Sequence, residues 1–331
     1  MVGSVCVDIN AVALAALSAE SDPPLLCWRR DWSRPTPSLC HSLSSHSFTL
    51  TPAVDWIIQF QKMGNNVNPV LGPKASTSFT CPVRKKSVLW EEKDVFNPAA
   101  VVKDGNVYLL YRAEDKVSPL SRDLLTLSLQ IGSLAGTSRI GIAWSEDGTT
   151  FQHRLTSPVL FPAIDKYNKY EWEGGCEDPR VVETPSGEYV MTYTSYDGTA
   201  RLCVATSKDL FSWTKHGPAF GKAFGGAYMN AWTKSGSIVV EPQSDGRLVA
   251  VKINGSYWMY WGENDLYIAT SVDLINWIPV MTDNPEAVYR GRPDHMDLPT
   301  NAKKPLSILT PRRGMFDSEL VEPGPDRKSV V

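Results

Sequence analysis

The chain has 331 residues, 42% of them hydrophobic, and a formal net charge of −3. This length fits one large domain or two ordinary ones. The near-neutral balance disfavours a nucleic-acid partner, and no apolar stretch nears the roughly 18 residues needed to span a bilayer.

Residues 1–62 are Ser-, Pro- and Leu-rich and carry no sustained period. They read as a disordered or targeting extension. Ala11 to Ala19 imitates a signal-peptide core, but Asp8 precedes it and no basic segment does. Asp8, Glu20 and Asp22 count against an organelle transit peptide, which stays open beside a favoured cytoplasmic location. The cysteines are Cys6, Cys27, Cys40, Cys81, Cys176 and Cys203. They form no CxxC pair, which argues against zinc and for reduced thiols in an intracellular protein. No motif suggests a metal or an organic cofactor.

From residue 63 to 331 the pattern is that of one β domain. Three runs each place a Gly turn before an aromatic strand: KDGNVYLLYRA (103–113), PSGEYVMTYTS (185–195) and INGSYWMYWGE (253–263). A second unit follows each: RIGIAWSEDGTTF (139–151), RLCVATSKDLFSW (201–213) and DLYIATSVDLINW (265–277). Ala143, Ala205 and Ala269 align, as do Ser145, Ser207 and Ser271, then Asp147, Asp209 and Asp273. Such self-similarity marks a repeat architecture. The Ser and Asp side chains are expected to bond the turn backbone. Two hairpins per repeat give a four-stranded sheet, the blade of a β-propeller. The stretch from Lys116 to Thr137 reads as an insertion, either a short helix or an extended hairpin. The eleven Trp and twelve Tyr read as sheet core or as sugar-stacking platforms.

The string Gly174-Gly175-Cys176-Glu177-Asp178-Pro179-Arg180 stands between two repeats and reads as a loop with a flexible Gly pair. Other polar residues stand at strand ends: Asn97, Arg112, Arg139, Lys234 and Asp317. A carboxylate among cations and amides suits glycosidic bond cleavage. Each residue also has a plainer role. Asp178 would cap a turn, Arg112 and Arg139 would pair with Glu114 or Glu146, Lys234 would be solvated, and Asn97 would form an Asx turn.

The strings VFNPAAVVKDGNVYLLYRAED, SRIGIAWSEDG, EGGCEDPRVVE, VATSKDLFSWTKHGPAF, YWMYWGENDLYIATSVDLINW and RGMFDSELVEPGP occur in order across about residues 65–325. Together they resemble glycoside hydrolase family 130, the β-mannoside phosphorylases and related β-mannosidases. The resemblance implies a five-bladed β-propeller, with the last blade incomplete in this chain. It implies inverting phosphorolysis of β-mannosides to α-mannose 1-phosphate, with inorganic phosphate as co-substrate and an oligosaccharide as partner. Asp178 would be the general acid. Asn97, Arg112, Arg139 and Asp317 would bind sugar, and Arg112, Arg139, Lys234 and Arg201 would bind phosphate. A hydrolase on the same fold would instead need a second carboxylate, for which Glu177, Glu173 and Glu263 stand ready. An inactive carbohydrate-binding propeller is the third reading, and a homo-oligomer is left open.

Overall fold

In the computed structural model, residues 64–116, 136–287, 289, 303–318 and 320–324 are described. The extension 1–62 and most of the insertion 116–137 lie outside them. Among the described residues the fold is all-β, with almost no helix.

A hairpin of β1 (Phe79–Cys81) and β2 (Lys86–Val88) precedes three antiparallel four-stranded meanders. The first contains β3 (Asp94–Lys103), β4 (Asn106–Glu114), β5 (Ser138–Ser145) and β6 (His153–Arg154). After a short helix, α1 (Asn168–Glu171), comes the second: β7 (Gly175–Glu183), β8 (Tyr189–Tyr196), β9 (Ala200–Ser207) and β10 (Thr214–Pro218). The third begins with β11 (Ser237–Ile238). It detours through β12 (Val240–Pro242), β13 (Leu248–Ala250) and β14 (Lys252–Ile253), then continues with β15 (Ser256–Trp261), β16 (Leu266–Ser271) and β17 (Ile278–Pro279). Finally β18 (Met281–Thr282) pairs with β19 (Lys304–Pro305), and β20 (Ser307–Leu309) adds to β16.

The repeat seen in the sequence is thus a repeat of hairpin register. Ala143, Ala205 and Ala269 face Leu109, Met191 and Met259 at the same step of each second hairpin. The turn chemistry recurs with them. Ser145, Ser207 and Ser271 each donate Oγ–H to the Asp two residues on, at 2.8–3.0 Å. Each Asp then accepts two backbone N–H groups further along. Burial pushes the Asp209 carboxyl up, but the N–H groups of Ser212 and Phe211 more than offset it and hold it below its ordinary value. Replacing Asp209 with Ala leaves those exposed donors to water and should cost about 0.5–1 kcal/mol. Urea unfolding at neutral pH is expected to show a lower midpoint with an unchanged slope.

Large side chains fill the spaces between meanders. Val190, Leu202 and Val204 of the second meet Met259, Trp261, Ala269 and Trp277 of the third. Leu110, Ile140 and Ile142 of the first meet Met191, Tyr193 and Ala205 of the second. Trp90, Trp261 and Trp277 are fully buried, so these aromatics are core, each stabilising by roughly 1.5–3 kcal/mol. Cys81, Cys176 and Cys203 are buried, unpaired thiols.

One sequence expectation is corrected. The Gly-rich string is not a loop: Gly175–Glu183 is strand β7. Its glycines permit close approach, not flexibility. A Cβ on Gly175, whose φ is 110°, would meet the Ser138 carbonyl oxygen at 2.1 Å. One on Gly174 would meet the Tyr196 ring at 2.3 Å. The bare backbone lets β7 lie parallel to β5 at Ser138↔Gly175, and Ser138 N donates to Gly174 O at 2.7 Å. That contact brings the second meander's first strand against the first meander.

Candidate active site

The site starts from two matching backbone irregularities. Between β3 and β4 the register passes from Phe96↔Arg112 to Ala99↔Leu110, three residues against two. Between β7 and β8 it passes from Glu177↔Thr194 to Arg180↔Thr192, again three against two. Each is a β-bulge, which bends a strand and re-aims its side chains. Asn97 and Asp178 sit on these bulges with φ of 46° and 48°. Asn and Asp tolerate this left-handed region better than most residues. A Pro follows each and needs no ladder donor there. The two residues occupy equivalent places in successive meanders, and Asn97 Nδ2 donates to Asp178 Oδ1 at 2.8 Å.

Arg112 ties the cluster together. Its Nη1 donates to Asp178 Oδ1 at 3.1 Å, and its Nη2 to Glu177 Oε1 at 3.0 Å and Glu114 Oε1 at 2.6 Å. Its Nε donates to Ser138 Oγ at 3.0 Å, and its plane lies over Phe96 at 4.7 Å. Lys93 Nζ closes the far side of Glu114 at 2.7 Å. Lys234 Nζ stands 4.0 Å from both Asp178 Oδ2 and Glu263 Oε1, and Trp232 Nε1 donates to Glu263 Oε2 at 2.9 Å.

Cations and hydrogen bonds, set against burial, drive the two neighbouring carboxyls apart. Burial pushes both up. For Asp178, Arg112, Lys234 and the Asn97 hydrogen bond outweigh burial and hold the group below its ordinary value. For Glu177, burial wins over Arg112, and the Asp178 charge adds to it, so the group is pushed up to about 7. Glu114 is also raised by burial, but Lys93 and Arg112 bring it below its ordinary value. Two carboxyls with opposed tendencies are the pattern expected where one holds a proton and another holds charge.

The structure therefore brings Asn97, Arg112, Asp178 and Lys234 together. It places Arg139 and Arg201 elsewhere. Arg139 is fully buried, donating to Asp115 Oδ2 at 3.0 Å and to Thr137 O at 2.9 Å. Arg201 donates to Asp197 Oδ1 at 2.7 Å, to Asn230 Oδ1 at 3.2 Å and to Met229 O at 3.2 Å. The two Arg–Asp pairs are equivalent in the repeat, each joining a third strand to the turn before it. Asp317 accepts from Arg312 Nε at 2.8 Å, while its Oδ1 is buried without a hydrogen-bond partner. Glu173 is largely exposed beside Arg84. Sequence reasoning named Glu114 only as an ion-pair partner of Arg112, a pair the structure shows, and missed Ser138 as part of the cluster. It also missed the equivalence of Asn97-Pro98 and Asp178-Pro179, a signal present in the strings FNPAAVV and EDPRVVE. Among the described residues, no group of three His, Cys, Asp or Glu is placed to hold a metal ion. No helix among them is long and apolar enough to cross a membrane.

A family model described as beta-1,4-mannooligosaccharide phosphorylase matches residues 67–326. The chain belongs to glycoside hydrolase family 130. Two curated relatives come from Thermoanaerobacter sp. (strain X514). The 1,2-beta-oligomannan phosphorylase is 34% identical over 215 residues, covering 63% of this chain and 56% of that protein. The beta-1,2-mannobiose phosphorylase is 31% identical over 175 residues, covering 52% and 48%. This family 130 chain spans about half the length of the curated relatives it matches. Among solved structures, a glycosyl hydrolase from Bacteroides ovatus is 44% identical with a TM-score of 0.67, covering 81% of this chain and 66% of that one. Another has 42% identity, the same TM-score and the same coverage. It is described as showing that this family of mannoside phosphorylases contains hydrolases targeting β-1,2 mannosidic linkages in Candida mannan.

Proposed function

We propose that the chain carries the site of an enzyme that cleaves β-mannosides with inversion, and that its meanders are blades of a five-bladed propeller. The observation that carries this reading is the convergence of Asn97, Arg112 and Asp178 from two successive repeats onto one carboxylate. Asp178 protonates the glycosidic oxygen. Asn97 and Arg112 fix its orientation and hold the sugar. Phosphorolysis to α-mannose 1-phosphate is supported by the names of the curated relatives. Arg112 and Lys234 are the cations at hand for phosphate, since Arg139 and Arg201 are committed to internal pairs. No cofactor is needed for this chemistry.

Hydrolysis is a second reading, and the local charge favours it. The cations in reach, Arg112, Lys93 and Lys234, are all paired with Glu114, Glu177, Asp178 or Glu263, a poor setting for a phosphate dianion. Through Lys234, Asp178 and Glu263 lie no more than about 8 Å apart, compatible with the roughly 6.5–9.5 Å that leaves room for an attacking water. The two solved hydrolases add support. The deciding assay offers β-1,2- and β-1,4-mannobiose with and without inorganic phosphate. Mannose 1-phosphate formed only with phosphate means phosphorolysis, and free mannose at an unchanged rate means hydrolysis. No cleavage of either sugar sinks the proposal.

A further inference from the structure

Adjacent residues of a regular strand point to opposite faces, so Glu177 and Asp178 should not share a partner. The bulge after Glu177 overrides that rule. Both carboxylates end on the same guanidinium, at 3.0 Å and 3.1 Å from Arg112. The charged groups facing Glu177 are Arg112 and Glu114 from β4, Asp178 from β7, and Lys234 from the segment before β11. Thr194 of β8 stands opposite in register. Lys93 offsets Glu114. Lys234 is divided, at 4.0 Å, between Asp178 and Glu263. One full cation, Arg112, is then left between two buried carboxyls. Such a pair favours keeping one proton between them.

We propose that Glu177 is a proton reserve for Asp178: one proton rests on Glu177 and passes to Asp178 when a glycosidic oxygen is presented. This rests on the mannoside-cleaving reading above. The proton leaves a Glu177 oxygen and arrives on an Asp178 oxygen, while the negative charge moves the other way. Cleavage then passes it to the leaving oxygen as water or phosphate bonds the anomeric carbon and the glycosidic bond breaks, and solvent reprotonates the pair. Glu177 acts through Asp178 and is a positioning residue in that sense. The opposed tendencies of the two groups agree with this order, Glu177 raised to about 7 and Asp178 lowered.

The test is Glu177→Gln, which keeps the shape and removes the exchangeable proton. In the native chain, kcat/KM should fall off above about pH 7, as the pair loses its shared proton. In E177Q, Asp178 keeps Arg112, Lys234 and Asn97 but loses the neighbouring carboxyl, so the alkaline limb should move down by two or more pH units. Activity near pH 6.5 should drop roughly 10²-fold, within the usual range for general-acid effects. An unmoved limb overturns the proposal. A readout without turnover keeps the idea separate from the mannoside reading. Glu177 favours the folded state most when protonated, so the native Tm relative to E177Q should decline as pH rises from about 4.5 to about 7 and level off above it. A pH-independent difference overturns the reserve even if mannosides are cleaved. Should E177Q not fold, glutamate labelled with ¹³C at Cδ in the unmutated chain replaces it. One carboxyl should titrate near 7 and move down in D178N, and its absence overturns the proposal.

Discussion

Replacing Asp178 with Asn is expected to lower turnover of a β-mannoside by roughly 10²–10⁴-fold, the usual contribution of a positioned general acid. The amide keeps the volume and can still accept from Arg112 Nη1 or Asn97 Nδ2, so sugar binding should persist. Folding should persist too, because Arg112 retains Glu114 and Glu177. The measurement pairs initial rates with a sugar-binding titration on the same preparation. Retained binding with lost turnover fits an acid. Unchanged turnover removes Asp178 from the chemistry, and an unmutated chain that binds but never turns over supports a carbohydrate-binding module instead. The variant also reports on its neighbour. Asp178 raises Glu177, so D178N should let Glu177 ionise at lower pH.

The repeat was legible because it is written in short-range chemistry. Ser207 and Asp209 bond a turn within five residues of themselves, and Trp213 and Trp277 donate Nε1 to Leu210 O and Leu274 O three residues back. Such features need no knowledge of the rest of the chain. The strand character of Gly175–Glu183 was not legible, because a Gly pair reads equally as a hinge or as a close approach. The choice depends on Ser138, which is remote in sequence.

The site was half legible for the same reason. The residue types were visible, and Asn97, Arg112, Asp178 and Lys234 converge. Their partners were not. Arg139 and Arg201 are as cationic as Arg112 on the page, but hairpin register delivers Asp115 and Asp197 to them. In the first repeat, the insertion separates Asp115 from Arg139 in sequence and hides the parallel with Asp197 and Arg201. Arg112 is claimed by carboxylates too, but by Glu177 and Asp178 of the site itself; which carboxylate reaches which cation is set by register, a property of the folded sheet.

Arg112 carries the largest structural consequence. Its guanidinium is the shared counter-charge of Glu114, Glu177 and Asp178, with side-chain exposures of 5%, 12% and 17%. Replacing it with Met preserves much of the packing over Phe96 but leaves those carboxylates under-compensated. Breaking a buried pair costs about 3–5 kcal/mol. The low end is expected here, because Lys93 still serves Glu114 and Asn97 with Lys234 still serve Asp178. For a chain of this size that is on the order of 10 °C in Tm. The pH dependence gives the sign. Asp178 and Glu114 are held below their ordinary values, partly by Arg112. The stability they contribute is therefore fully present above about pH 5 and lost as pH falls through their folded values. The Tm gap between the native chain and R112M should be widest near neutrality and close toward pH 4. Glu177 behaves oppositely. Arg112 lowers it, so in R112M it should keep its proton to higher pH and spare the variant part of the repulsion above 7. Thermal melts from pH 4 to 8 decide the matter. A gap that stays flat across that range would mean Arg112 acts through packing alone, and the charge arrangement assigned to the site would fall with it.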